Sequence, residues 1–564
     1  MTDVETTTAQ PGRRQWIGLG VLALGLAMIV LDGTIVGVAL PRIMADLHLN
    51  LTEAQWVNSL YSMVFAALLL TFGRLGDRLG RRRVFLVGVV VFVAGSITAA
   101  MADSASSLIL ARALQGVGGA AVLPATLSTV NATFRGKDRA AAFGVWGAVM
   151  AGAAAIGPLL GGWLTTSFSW PWIFLVNVPI GVAILGLGLF FVDETRGVVT
   201  GRGADVDGLL TSAIGFGLIV FGLIEGPRLG WWTPLGDLQL LGFHWPVTAP
   251  VSAPAAALMV GVAFVGLFIL WERHRARVGR SALIDLAIFR FATFSWGNLT
   301  AMMVAIGEFA LVFVLPLYLV NGLGLSIMGA GSVLGAMAVG AFIAGAQARR
   351  LSARLGPPQV VILGLVLEVA GATATAFILG PTSSPWLIAA CMTVYGIGLG
   401  LASAQLTSTV LADVPAAQSG SASATQSTVR QLGAALGSAL AGTVLAARLS
   451  TSLLDRLTGI SGLSHDAAAQ LAATTSSSAG GNLIGLRAQG TSGTLGDLGP
   501  RVVDALSAGF ASATAWSVGA AVVFLLLGLV GASQVARAAH ATPAADGTTI
   551  TPDVATSSGR TARG

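Results

Sequence analysis

Five ionisable side chains stand inside stretches that otherwise carry almost no charge: Asp32, Arg112, Glu308, Glu368 and Arg430. Glu225 lies near the end of another such stretch. An ionised group in mid-bilayer costs about 2.5–3.5 kcal/mol on insertion scales, so groups kept there are paired or functional. Desolvation moves a carboxyl's titration toward neutral pH, which is the property a proton carrier needs. Asp32, flanked by Gly33, Thr34 and Gly37, is the first candidate. Its simpler alternative is a structural ion pair with Arg112. Glu308 and Glu368 are further candidates. Arg430, in "TVRQLGAALG", is placed to snorkel to the inner face.

Those groups need elements that hold them in lipid. The 564 residues are 54% hydrophobic and only 10% charged, against about 25% charged in soluble domains. Mean hydropathy is +0.81. The apolar runs are long and unbroken, which suits helices across a hydrocarbon core about 30 Å thick. A β-barrel would show short alternating segments. Fourteen spans are expected: 16–38, 54–73, 84–102, 106–131, 140–163, 172–192, 207–225, 253–271, 293–320, 325–347, 359–380, 386–411, 417–446 and 509–532. With the N-terminus inside, inner segments hold 23 of the 31 basic residues, outer segments six, and spans the remaining two. Basic residues resist translocation, so this orientation is favoured and both ends face the cytoplasm of a multi-pass cell-membrane protein. The reading divides the chain into a tail (1–15), a six-helix half (16–192), a two-helix insertion (193–292), a second six-helix half (293–532) and a disordered tail (533–564). Residues 226–252 and 447–508 form outer connections, the latter mostly irregular with one short helix near 466–473.

Several chemistries are excluded. The single lysine, Lys137, has Asn131 where a phosphate-gripping loop needs its first glycine, so no such ATP site exists. The single cysteine, Cys391, rules out an internal disulfide and a thiolate-rich metal site. No nucleophile–base pair or cofactor loop appears, so neither an enzyme nor a cofactor or metal is expected. Arg13 and Arg14 precede an apolar run too long for a cleaved signal.

Charge returns in "GRLGDRLGRRR" at 73–83, between the second and third spans. Gly73 and Gly80 allow close backbone approach, and Asp77 and Arg81 can pair if helical. This stretch resembles the signature loop of the major facilitator superfamily. "LDGTIVGVALP" (31–41), "ARALQGVGGA" (111–120), "GAAAIGPLLGG" (152–162) and "SWPWIFLVNVPIG" (169–181) narrow the likeness. With fourteen spans, the chain is similar to the 14-spanner drug:proton antiporters of that superfamily over roughly residues 14–533. Pro171 departs from the family's usual arginine. A second copy of the loop, "ARLG" at 353–356, has Ala353 where the acid should be.

The resemblance implies an all-α fold of two six-helix halves plus two inserted helices. It implies a conformational latch at Gly73, Asp77, Arg78, Gly80 and Arg81. An antiporter helix motif falls on Gly152, Gly157, Pro158 and Gly161, where Pro158 bends the helix. Proton coupling falls on Arg112 and Gln115 beside Asp32. Glu308, opening the second half, borders the central cavity by analogy, whereas Glu368 lies on a peripheral span and is expected to matter less. The expected function is proton-driven efflux of amphipathic small molecules by alternating access, by a single chain and without nucleic acid. Two cavity acids against one arginine, Arg112, favour cationic or neutral substrates. The rival within transport is proton-coupled movement of a metabolite or nutrient. Outside it, a membrane enzyme or sensor is the remaining alternative.

Overall fold

The computed structural model describes residues 12–197, 205–240, 242–280, 282–415 and 418–541. The first half runs α1 (Arg13–Asp46), α2 (Leu51–Leu79), α3 (Arg81–Ala100), α4 (Ala105–Thr133) and α5 (Gly136–Ser167). Its sixth span is interrupted, as α6 (Trp172–Leu175) and α7 (Asn177–Phe191). The inserted pair is α8 (Val206–Leu229) and α9 (Ala253–Arg277). The second half holds α10 (Ala292–Leu317), α11 (Ile327–Leu355), α12 (Pro357–Ile378), α13 (Pro385–Val410), α14 (Ser419–Thr458) and α17 (Gly499–Ala541). Among the described residues, thirteen helices are long and apolar enough to cross a membrane. α5, 32 residues long, holds the place of the fourteenth.

Helices in lipid gain little from hydrophobicity and associate by close packing at small residues. The chain does this repeatedly. A side chain at Gly118 would strike the Phe92 backbone, joining α3 to α4, and one at Gly396 or Gly400 would strike carbonyls of α11. The two halves meet along α1/α10, α2/α14 and α5/α11. Glycines make close contacts there: Gly37 on Val312, Gly442 on Gln55, and Gly162 and Gly331 on the facing α11 and α5. Ser59 and Ser438 share a hydrogen bond of 2.8 Å in the same seam. All of these fall in the part of each helix away from the 73–83 turn.

Four expectations change. The 73–83 stretch is not a loop: α2 runs to Leu79 and α3 starts at Arg81, with Gly80 alone between them at φ 114°. Residues 447–508 are mostly ordered rather than irregular. α14 continues to Thr458, α15 (His465–Ser477) and α16 (Asn482–Gln489) follow, and two 3-10 turns lead into α17. Alanine outweighs serine and threonine in "DAAAQLAAT", and Ser464 caps α15 by accepting from Ala467 N at 3.2 Å. α17 carries helix past 533 to Ala541, and residues 542–564 of the expected tail lie outside the described residues. Residues 226–252 contain a short hairpin, β1 (Leu238–Leu240) antiparallel to β2 (Phe243–Trp245).

The insertion is tied down by Asp205. Its carboxylate accepts from Gly208 N at 2.9 Å, Trp271 Nε1 at 2.9 Å and Leu283 N at 3.3 Å, and pairs with Arg275 Nε at 3.2 Å. Burial works to raise this carboxyl. Hydrogen bonds involving Trp271, Glu272 and Gly208, with the Arg275 charge, outweigh burial and hold it below its usual range. Asp205 therefore contributes stability above the unfolded carboxylate pKa of about 3.9, and that contribution is lost as pH falls through the lower folded value. Asp205→Ala is expected to cost about 3 kcal/mol, read as a lower unfolding temperature of detergent-purified protein at pH 7. The gap between variant and parent should shrink as the pH is brought below the carboxylate range.

Candidate functional site

The densest polar cluster in the first half is built by four helices around Asp32. α1 brings Asp32, α3 brings Ser96, α4 brings Arg112 and Gln115 one turn apart, and α7 brings Asn177 at its first position. All five are 0–1% exposed. Asp32 Oδ2 accepts from Arg112 Nη1. Asp32 Oδ1 accepts from Gln115 Nε2 at 2.8 Å and Asn177 Nδ2 at 3.2 Å. The same two amides donate to Ser96 Oγ at 2.8 and 3.1 Å. Arg112 also donates to Gln115 Oε1 at 2.7 Å, and its guanidinium lies 4.1 Å from the Tyr61 ring centroid.

Three donors thus hold the carboxylate, two on Oδ1 and one on Oδ2. The ion pair with Arg112, the simpler alternative for Asp32, is present. Asn177, Ser96 and Tyr61 were not singled out from sequence. Asn177 is the one polar side chain in "WIFLVNVPIG", and that isolation was its signal.

Thr34, two residues beyond Asp32, reaches the antiporter helix motif. A side chain at Gly157 would strike Thr34 Oγ1, and one at Gly161 would come within 2.9 Å of the Ile35 carbonyl. The Pro158 carbonyl in turn faces Gly331 of α11. The motif face of α5 is therefore wedged between α1 and the second half. Gly152, with only Phe342 at 3.9 Å, is under no such constraint.

In the second half, Glu308 of α10 accepts from Arg430 Nη2 of α14 at 3.2 Å. Arg430 therefore does not snorkel free but pairs with Glu308, its side chain 41% exposed and that of Glu308 16%. The premise of two acids against one arginine fails, because each acid has its own arginine. Glu368, on α12, packs against Gly398 of α13 and is fully buried. Glu225 ties α8 to α2 by accepting from Trp56 Nε1 at 3.0 Å, and it pairs with Arg228 at 2.8 Å.

At the 73–83 turn, Asp77 Oδ1 lies 2.9 Å from Arg81 Nε, the pair expected from their spacing. Arg81 also donates to Ser128 O at 2.9 Å, and its backbone N–H to Thr195 O at 2.9 Å. Arg82 N donates to Glu194 Oε1 at 3.1 Å, and Gly197 N to Asp77 O at 3.2 Å. Gly80 is required by its positive φ, and the Glu194 carboxylate lies against it. Gly73, with Pro124 Cβ at 3.5 Å, is in ordinary contact only. The Asp77 partners named here all belong to the first half or the segment just after it. Asp77→Asn keeps the Arg81–Ser128 bond, so the fold should survive. Transport rate is expected to fall about fivefold, as for a gating change, with substrate affinity unchanged in an equilibrium binding assay.

The family model of the Major Facilitator Superfamily matches residues 22–438. The chain belongs to the Major Facilitator Superfamily. It is 32% identical over 447 residues to the tetracenomycin C resistance and export protein of Streptomyces glaucescens, covering 78% of each chain. It is 33% identical over 452 residues to the multidrug efflux pump LfrA of Mycolicibacterium smegmatis, covering 78% of this chain and 83% of that one. Among solved structures it is similar in fold to a bacterial homologue of the human lysosomal transporter Spinster in an inward-facing, unoccupied conformation. That match has a TM-score of 0.58 at 17% identity and covers 94% of this chain and 99% of that one. This member of the superfamily is thus a multi-pass membrane transporter rather than an enzyme, and its relatives include drug and antibiotic efflux pumps.

Proposed function

We propose that this transporter is a proton-driven exporter of amphipathic small molecules that works by alternating access. One observation carries the reading. The buried carboxylate of Asp32 is held by donors from two other helices, two residues from the Thr34 contact with the α5 motif. A proton arriving at Asp32 neutralises it and releases Arg112. The loss of that pair loosens α1 against α4 and α7, next to the point where α5 bears on both α1 and α11. Protonation and the packing between the halves are then one event, which is what coupling requires. Glu308 and Arg430 form the corresponding charged pair on the second-half side of the cavity. The membrane field supplies about 2.3 kcal/mol per proton per 100 mV. The matched acid–arginine pairs do not single out cations, so neutral aromatic amphiphiles fit the reading equally.

The test uses energised inverted membrane vesicles with ethidium and tetracenomycin C as probes. Export appears as accumulation inside the vesicles, abolished by a protonophore. Accumulation in right-side-out vesicles instead would favour proton-coupled uptake and overturn the reading. The same reading puts the 73–83 turn and both chain ends on the cytoplasmic face. Single cysteines at Arg83 and Ser476 in a Cys391→Ser background should then label oppositely with an impermeant thiol reagent, only the second in intact cells. Labelling at Arg83 from outside reverses the orientation.

A further inference from the structure

An internal repeat unites two helix pairs. "GVVVFVAG" at 88–95 on α3 recurs as "GLVLEVAG" at 364–371 on α12, each starting eight residues after the glycine that ends the preceding helix. The packing repeats with it. Side chains at Gly88 and Gly95 would strike Gly118 and Gln115 of α4. Side chains at Gly364 and Gly371 would strike Gly398 and Tyr395 of α13. Gln115 and Tyr395 both stand three residues before the facing glycine, so they are counterparts.

By the same register Glu368 is the counterpart of Phe92. An apolar ring at a tight glycine contact in one half is replaced by a carboxyl in the other. Glu368 is 0% exposed, and neither of its oxygens has a hydrogen-bond partner; the Tyr395 hydroxyl, also fully buried, has none either. Glu368 is the only residue of α12 and α13 that carries a formal charge. The groups acting on it are the Tyr395 phenol, the Glu308 carboxylate of α10 and the Arg430 guanidinium of α14. α11 and α17, the other helices against α12, carry charged groups only toward their ends. An ionised carboxylate with no donor is among the most costly groups to bury, several kcal/mol even after relaxation. A packing role would be filled better by the phenylalanine that the repeat supplies.

We propose that Glu368 is a second proton-carrying residue, with Tyr395 as its hydrogen-bonding partner once the helices shift and the Glu308–Arg430 pair as its link to the cavity. The site takes up a proton as a neutral carboxyl behind the closed α12–α13 contact. It gives the proton up when that contact opens toward Arg430, whose charge stabilises the carboxylate formed. The proposal rests on the exporter reading above and adds a carrier in the second half.

Glu368→Gln keeps the volume and removes titration. With ethidium as probe in proteoliposomes, uphill export driven by an imposed pH gradient should fall at least about tenfold, whereas ethidium counterflow at equal pH stays within about twofold. Uphill export at the parental rate overturns the proposal. A second arm needs no variant. The apolar reagent dicyclohexylcarbodiimide modifies protonated carboxyls in membranes, and peptide mass spectrometry on the parent protein should find its adduct at Glu368, falling as pH rises. Absence of an adduct at every pH, or a pH-independent one, also overturns it. If the parent itself moves no probe uphill, the exporter reading falls, and the labelling arm still decides whether Glu368 exchanges a proton.

Discussion

Asp32→Asn should abolish uphill export, a loss of at least about 100-fold, the scale set by removing a proton-transferring group. Equilibrium binding of ethidium should change much less. Asp32 is 1% exposed, so its effect on a ligand acts through the network rather than by contact. Asparagine retains one acceptor toward Arg112 but turns an amide toward Gln115 and Asn177, which are both donors there. One mismatched buried donor costs about 1–3 kcal/mol, so the variant should also unfold at lower temperature. Asp32→Ala is the poorer experiment, because breaking a buried pair costs about 3–5 kcal/mol. Asp32→Glu should recover part of the uphill activity, and a merely structural pair would not predict that split. Parental export by the Asp32→Asn protein would remove Asp32 from the coupling path.

Gly157→Leu is expected to reduce export below about 1% of the parent, because the side chain has no room against Thr34 and close packing at small residues is what holds these helices together. Gly157→Ala should be milder. It should improve in part when combined with Thr34→Ala, which removes the atom that a Cβ at 157 meets first. Export assays of the two single variants and the double variant in one vesicle preparation measure this coupling. If the double variant is no better than Gly157→Ala alone, the α1–α5 contact is not where the motif acts.

Much of this fold was legible because lipid imposes a simple rule: a run of about 20 apolar residues becomes a spanning helix. The fourteen spans, the signature turn and the trio Asp32, Arg112 and Gln115 all follow from residues close in sequence or from strings long enough to compare. What escaped was made by distant partners. Glu308 and Arg430 are 122 positions apart, and the sequence offers no sign that the arginine belongs to the acid. Ser96 and Asn177 are ordinary polar residues until α3 and α7 bring them to one carboxylate. The 447–508 segment differs from its expectation for another reason. Its serine, threonine and glycine content suggests irregular chain, but helix caps and alanine runs decide locally, and packing against α14 and α17 does the rest.

The 447–508 segment has a mechanical side. α14 extends about 18 Å past its expected membrane end, twelve residues at about 1.5 Å each, from 446 to Thr458. Arg487 of α16 donates to the Asn321 and Gly322 carbonyls at the tip of α10 and to Ser507 of α17, while Asn321 donates to Ala479 at 2.9 Å. These bonds tie the projection to two helices of the second half, α10 and α17. It is a lever arm fixed at one end: if the halves rock as proposed, its free surface sweeps a longer arc than the helices that carry it. On the proposed orientation, a probe gripping it from outside would report, or arrest, the stroke of one half.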